Sequence, residues 1–253
     1  MRDYDLLTRR IEALASNSAR VDTMTCADGY PVLRVSVASR VPAPTVLLIG
    51  GTHGDEPAGV EACLTVLEHD LAAWHRHFGF EVVPCLNPFG YVHNTRHNAR
   101  NVDINWTYDD KSVPEVDGMK RLLRGQRFSF ALDFHEDWES PGYYLYELRR
   151  NAPVMGRAVI HAVSTVCPIN RKRAIDGWTA AGGLIAPDPE REVERRGAGL
   201  PLVLFFDHTD HLMTSESPSG LAMDIRVAAH RTALQTVLRH HLRHRRANQT
   251  EQA

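Results

Sequence analysis

The stretch Gly50-Gly51-Thr52-His53-Gly54-Asp55-Glu56 ("GGTHGDE") follows directly on the apolar run at 45–49 ("TVLLI"). A short apolar run bounded by glycines reads as a buried β-strand, and glycines leave the backbone room to fold tightly where it ends. From Pro57 to Phe78 apolar residues recur at helical spacing, with Pro57 suited to a first turn. The next run, 80–86 ("FEVVPCL"), is again strand-like. A strand, a helix of this length and a further strand are the pattern of an α/β fold with a largely parallel sheet.

Outward from this unit, 31–38 ("PVLRVSVA") reads as a strand set off from 45–49 by the breaker cluster "SRVPAP". A surface helix is expected near 3–16. Further strands are expected at 128–134 ("FSFALDF"), 143–148 ("YYLYEL") and 202–207 ("LVLFFD"), and helices near 116–125, 153–166 and 221–242. No internal repeat, low-complexity tract or linker interrupts the chain, so the economical reading is a single domain over 1–245 with a disordered tail over 246–253.

Composition narrows the function. The 253 residues, 43% of them apolar, suffice for a large core. Lys+Arg 29 against Asp+Glu 31 gives a net charge of -2 and argues against nucleic acid or an anionic membrane as partner, leaving a small molecule or peptide. The short basic run at 239–246 reads as the solvated face of a last helix. The N-terminus carries charges throughout, unlike a secretory signal, and no apolar run approaches the roughly 18 residues of a membrane span. Cys26, Cys63, Cys85 and Cys167 are scattered and read as reduced thiols, so a cytoplasmic protein is expected.

In open α/β sheets ligands gather outside the carboxyl ends of the strands. His53 and Glu56 follow the 45–49 strand, and His135 follows 128–134 in "LDFHED", so all three land on one rim. Two histidines and a glutamate are an attested set of catalytic zinc ligands, and a spacing of three lets one tight turn aim His53 and Glu56 at one point. Alone, a His-x-x-Glu pair is a weak signal, since a rim histidine beside a solvated carboxylate is the commoner arrangement.

The surroundings strengthen it. Together with "GGTHGDEPAG", "LDFHED" and "TSESPSG", the stretch 87–105 ("NPFGYVHNTRHNARNVDIN") resembles the zinc carboxypeptidase family, particularly its short bacterial amidase-like branch and the related succinylglutamate desuccinylase and aspartoacylase group. The motifs occur in the family's order over most of the chain. The resemblance implies an α/β/α sandwich with a mixed, largely parallel twisted sheet, and one zinc ion per chain held by His53, Glu56 and His135. It implies Asp103 as the carboxylate that orients His53, Arg96 as the oxyanion partner, Asn105 as a holder of the substrate's terminal carboxylate and Glu216 as the general base. Arg100 lies close enough to Arg96 in the chain to compete for a place in the site.

One position departs from the pattern. Where carboxypeptidases of the family read Asn-Arg, this chain reads Asn105-Trp106, and an indole with one N–H and no charge cannot fork onto a carboxylate. The sequence therefore favours a zinc amidohydrolase acting on a small, modified or non-standard peptide or acyl-amino acid. A free carboxylate end is disfavoured unless another arginine such as Arg100, Arg149, Arg171 or Arg173 takes over. An inactive binding protein is the remaining alternative. Tyr144 is a candidate for substrate contact, since strand alternation sends Tyr144 and Tyr146 to one face and Tyr143 to the other. The glycines and Trp178 of 175–187 suggest a loop over the pocket. His208 and His211 read as satisfied or solvated histidines rather than pocket residues.

Overall fold

The run at 45–49 forms a strand buried on both faces, as its unbroken apolar character requires: Val46 and Leu48 enter one core, Leu47 and Ile49 the other. The computed structural model describes residues 1–16, 18–108 and 113–251. In chain order the elements are α1 (Tyr4–Glu12), β1 (Ala19–Ala27), β2 (Tyr30–Val37), β3 (Thr45–Gly50), α2 (Pro57–Thr65), α3 (Leu71–Trp74), β4 (Gly79–Val83), α4 (Pro88–His93), α5 (Pro114–Leu123), β5 (Ala131–Asp137), β6 (Tyr144–Arg149), α6 (Gly156–Val163), β7 (Ala174–Ile175), β8 (Trp178–Ala181), β9 (Leu184–Ile185), α7 (Pro189–Arg196), α8 (Leu200–Val203), β10 (His211–Pro218) and α9 (Met223–Glu251). Wider π turns at Val66–Asp70 and Leu204–His208 continue α2 and α8.

The strands make one sheet in the order β1-β2-β4-β3-β5-β10-β6-β9-β8-β7. Its centre, β4-β3-β5-β10, is parallel, and antiparallel strands flank it. Helices α2, α6 and α9 pack with Phe80, Phe130, Phe134 and Met213 on one face, while α5 and the 200–205 segment cover Leu47, Ile49, Ala131 and Leu212 on the other. This is the mixed α/β/α sandwich expected from the sequence. The four cysteines are free, and no helix among the described residues is long and apolar enough to cross a membrane.

Two expectations are corrected and one element is added. The run 202–207 is helical, not a strand: Pro201 sits in the first turn of α8, and Leu200, Leu202, Leu204 and Phe205 bury one helical face. The strand lies just beyond, at His211–Pro218, where polar residues hide it from hydrophobic pattern. β1 is an additional edge strand joined to β2 through Asp28-Gly29, both at positive φ. Finally, α9 continues through Glu251, so the tail at 246–251 is helical, and 252–253 lie outside the described residues.

The glycines after β3 answer to packing. Gly51 has a positive φ of 62°, and a Cβ on Gly50 would come 2.7 Å from the Gly59 carbonyl oxygen. Gly54 lies against the start of α4, where a methyl group would meet Gly90 backbone carbon at 1.8 Å. Gly54→Ala is therefore expected to cost about 3 kcal/mol or more by forcing two loops apart. Gly125→Ala, at a positive φ but with open space around it, should cost only about 1–2 kcal/mol. Denaturant unfolding of the two variants compares them; equal losses would show that the Gly54 contact yields without cost.

Candidate metal centre and its pocket

Alternation along three neighbouring strands builds the site. On β5, Leu132 and Phe134 enter the core under α9, which turns Asp133, His135 and Asp137 to the opposite face. The β5–β10 register sets Glu216 beside His135 and Thr214 beside Asp133, and the β10–β6 register sets Tyr144 beside Glu216 and Tyr146 beside Thr214. The turn after β3 delivers His53 and Glu56 to the same place.

One ligand atom from each of His53, Glu56 and His135 lies within 4.8 Å of the other two, and all three side chains are buried. His53 Nδ1 is 2.7 Å from Glu56 Oε1, His135 Nδ1 is 2.9 Å from Glu56 Oε2, and the two Nδ1 atoms are 3.1 Å apart. The far nitrogens each meet a carboxylate: His53 Nε2 lies 3.2 Å from Asp103 Oδ1, and His135 Nε2 lies 2.9 Å from Asp133 Oδ2. A carboxylate on Nε2 holds the ring proton there and leaves Nδ1 as a lone pair. Two lone pairs and a carboxylate thus converge on one point, a donor set that fits a divalent cation.

Electrostatics follow the geometry. Burial opposes charge on both histidines, yet the carboxylates around them more than offset it and raise their pKa values, Glu56 and Asp103 acting on His53 and Asp133 and Glu56 on His135. Burial likewise works to raise Glu56, but the two histidines hold it well below the usual carboxylate range. Glu216 behaves oppositely: desolvation first, with Glu56 and Asp137 adding to it, pushes its carboxyl up to about 8 against the pull of His135 and His53. Two carboxyl groups in one pocket are thereby driven apart, one toward ligation and one toward carrying a proton.

A further layer fixes the ligands. Glu56 Oε2 accepts the Glu136 backbone N–H at 3.0 Å, and Glu136, itself buried, accepts the Ala58 N–H at 2.6 Å and pairs with Arg226 of α9. Arg96 donates through Nε to Asp103 Oδ2 at 3.1 Å, and its Nη1 lies 3.4 Å from Glu56 Oε1. The Asn105 N–H donates to Asp103 Oδ1 at 3.1 Å, while its side-chain Oδ1 is buried with no partner.

These groups lie at one end of a cavity of about 560 Å³, lined also by Asn105, Trp106, Trp138, Tyr144, Tyr146, Asp176, Trp178, Glu192, Arg196 and Glu216. Tyr144 donates its hydroxyl to Asp137 at 3.0 Å, whereas Tyr143 is fully buried against Ser215. Trp178 and Asp176 bring the 175–187 segment to the cavity wall, built as the short strands β7, β8 and β9 rather than as a plain loop. His208 and His211 lie elsewhere: His208 bonds the Gln126 carbonyl, and buried His211 bonds Glu147 and His241.

Arg100 is not brought to the cavity; it is exposed on a turn that Asn98 Oδ1 closes by accepting the N–H groups of Arg100 and Val102. Arg149, Arg171 and Arg173 do not line it either. The arginines that do are Arg96 and Arg196. Sequence reasoning missed Arg196, which no motif marks, and Asp133, which strand alternation two residues before His135 could have found.

The architecture and the His-Glu-His donor set make an α/β fold with a candidate metal site at its strand rim. Residues 42–166 match the succinylglutamate desuccinylase/aspartoacylase catalytic domain family. Carboxypeptidase SOL1 of Arabidopsis thaliana is 27% identical over 167 residues, covering 53% of this chain and 31% of that relative, so the chain spans about a third of its length. Among solved structures, a candidate metallopeptidase of Shewanella amazonensis superposes with a TM-score of 0.77 at 20% identity over 92% of this chain and 90% of that one. A metallo-carboxypeptidase of Burkholderia cenocepacia gives 0.69 at 17% identity over 94% and 69%. These likenesses support a zinc carboxypeptidase-like family, and the solved structures share the fold.

Asp133→Asn keeps the shape beside His135 but removes the charge that orients it. The variant is expected to bind zinc about 10-fold more weakly, measured by competition with a chromophoric chelator. Unchanged affinity would show that His135 is oriented without Asp133.

Proposed function

We propose that the protein is a zinc-dependent amidohydrolase that cleaves an amide bond of a small, modified or non-standard peptide or of an acyl-amino acid with water. The observation that carries this reading is the convergence of His53 Nδ1, His135 Nδ1 and Glu56 on one point, with Glu216 beside His135 in the strand register. Zinc held by these three residues would supply electrophilic activation of the scissile carbonyl and a lowered pKa for attacking water.

The chain's own residues do the rest. Asp103 and Asp133 hold the protons of the two imidazoles at Nε2 and so keep both Nδ1 atoms available. Glu216, beside His135 in the strand register, accepts the proton of the attacking water on its carboxylate and returns it to the leaving amine nitrogen, and the charge of a bound cation would favour its ionised form. Arg96, with its Nε on Asp103 and its Nη1 beside Glu56, stands where it can meet the negative charge that grows on the carbonyl oxygen. Such a donor is worth roughly 3 kcal/mol of barrier. Tyr144, Tyr146 and the tryptophans supply an apolar wall that excludes water from the reacting bond.

A carboxypeptidase that acts at a free carboxylate end is the second, narrower reading, and Arg196 in the cavity wall is the observation that favours it.

The metal assignment is checked by elemental analysis: about one zinc per chain is expected, as the single three-donor cluster among the described residues implies, with severe loss in His135→Ala. Full retention of zinc by that variant would remove His135 from the ligand set. Glu216→Gln should keep zinc and fold yet lose nearly all turnover, because an amide cannot accept a proton at neutral pH. Release of amine from a panel of N-acylated dipeptides and acyl-amino acids is the assay, and a near-normal rate would exclude Glu216 as the base.

A further inference from the structure

The wall of the cavity carries a cation that the sequence at position 106 lacks. Trp106 is held rigidly: a Cβ on Gly199 would lie 2.4 Å from its ring, so only glycine lets the chain pass, and Leu200 N–H donates to the Asn105 carbonyl at 2.8 Å. These contacts lock 105–106 to the segment that follows α7. The last residue of α7 is Arg196, and its guanidinium lies 4.9 Å over the Trp106 ring. Indole and guanidinium thus form one surface in the cavity, and the cation–π contact helps orient the guanidinium.

The partners of Arg196 differ in how firmly they hold it. Glu192 is nearly buried and engaged elsewhere: it accepts from Arg195 Nη1 at 2.6 Å and from the Trp178 indole, and stands 3.6 Å from Arg196 Nε. The close partner is Asp176, 2.8 Å from Arg196 Nη2, with a side chain 53% exposed. An exposed ion pair of this kind is worth about 0–1 kcal/mol, so a carboxylate arriving in the cavity can displace it. Arg96, by contrast, is tied to Asp103 and Glu56 at the metal end.

We propose that Arg196, seated on Trp106, is the specificity-determining residue that receives a free carboxylate at the end of the substrate remote from the cleaved bond. The proposal rests on the amide-hydrolase reading for the existence of a substrate in this cavity, but not on turnover. It reverses the expectation from Trp106 alone: the indole does not exclude a carboxylate, it carries the arginine that binds one. Arg196 acts as a binding group, and Asp176 acts as the internal anion that occupies it when no substrate is present.

The test is calorimetric titration of the zinc-loaded protein with N-acetylphenylalanine and with N-acetylphenylalaninamide, which differ only in the terminal charge. Wild type should bind the free acid at least about tenfold more tightly, the scale of a hydrogen bond to a charged group. Arg196→Ala should reduce that preference to within about twofold, and Arg196→Lys should retain part of it, since it keeps the charge without the planar guanidinium fork. Asp176→Asn should tighten free-acid binding about three- to fivefold by removing the competing anion, an effect that no structural defect produces. Equal binding of acid and amide by wild type, a preference that survives Arg196→Ala, or weaker acid binding by Asp176→Asn would overturn the proposal. Because no step requires hydrolysis, absence of turnover on every substrate counts against the amidohydrolase reading alone.

Discussion

The parallel pairing of β5 with β10 in one register is the constraint on which the site depends. It sets His135 beside Glu216 and Asp133 beside Thr214, and the antiparallel pairing of β10 with β6 continues the row to Tyr144. Side chains alternate between faces along a strand, so a slip of one residue would send His135 into the core and bring Phe134 to the cavity. What prevents the slip is the opposite face, where Phe134, Leu132 and Met213 are packed beneath α9. The apolar core and the polar site are two readings of the same register.

Burying so many polar groups is costly unless each has a partner. Around the donors the partners are supplied in layers: Asp103 and Asp133 behind the imidazoles, the Glu136 N–H on Glu56, and Ala58 N–H and Arg226 on Glu136. The reverse face of β10 is tied in the same way, with Ser215 bonded to both the Tyr143 hydroxyl and His230 Nδ1 at 2.8 Å. Helix α9 provides Arg226 and His230 to this scaffold and, further along, Arg231 to Asp70 and His241 to His211. One long helix therefore buttresses the sheet from the metal end to the far end of β10, which leaves the ligands little freedom to relax when one partner is removed.

Much of this was legible in the sequence, and the exceptions have physical reasons. The strand at 45–49, the helix opened by Pro57 and the strand at 80–86 are read from apolar runs and breakers, because a strand covered on both faces has no polar positions to confuse the pattern. The geometry brings His53, Glu56 and His135 together as expected, though His135 lies within β5 rather than beyond its end. The segment 202–207 misleads because a short apolar run fits a buried strand and a buried helix equally, and only Pro201 argues for the helix. β10 escapes notice because Thr214, Ser215, Glu216 and Ser217 break the apolar pattern: Thr214 and Glu216 face the cavity, and Ser215 is bonded on the reverse face. Asp133 was hidden inside a run taken as core. Arg196 was beyond reach, since nothing local to a charged surface helix says that its last residue will lie over a ring ninety positions earlier.

The distribution of indoles carries its own consequence. The chain has four tryptophans, and three of them, Trp106, Trp138 and Trp178, line one cavity, while Trp74 is buried against α9 through Gln235. Each of the three sits in a different electrical setting: under a guanidinium, 80% exposed at the rim, and between two arginines with its N–H on a carboxylate. Ultraviolet emission from this molecule is thus weighted toward the cavity, and its colour follows how much water remains there. The protein comes with an optical gauge of its own occupancy, readable without a label and without knowing in advance what the occupant is.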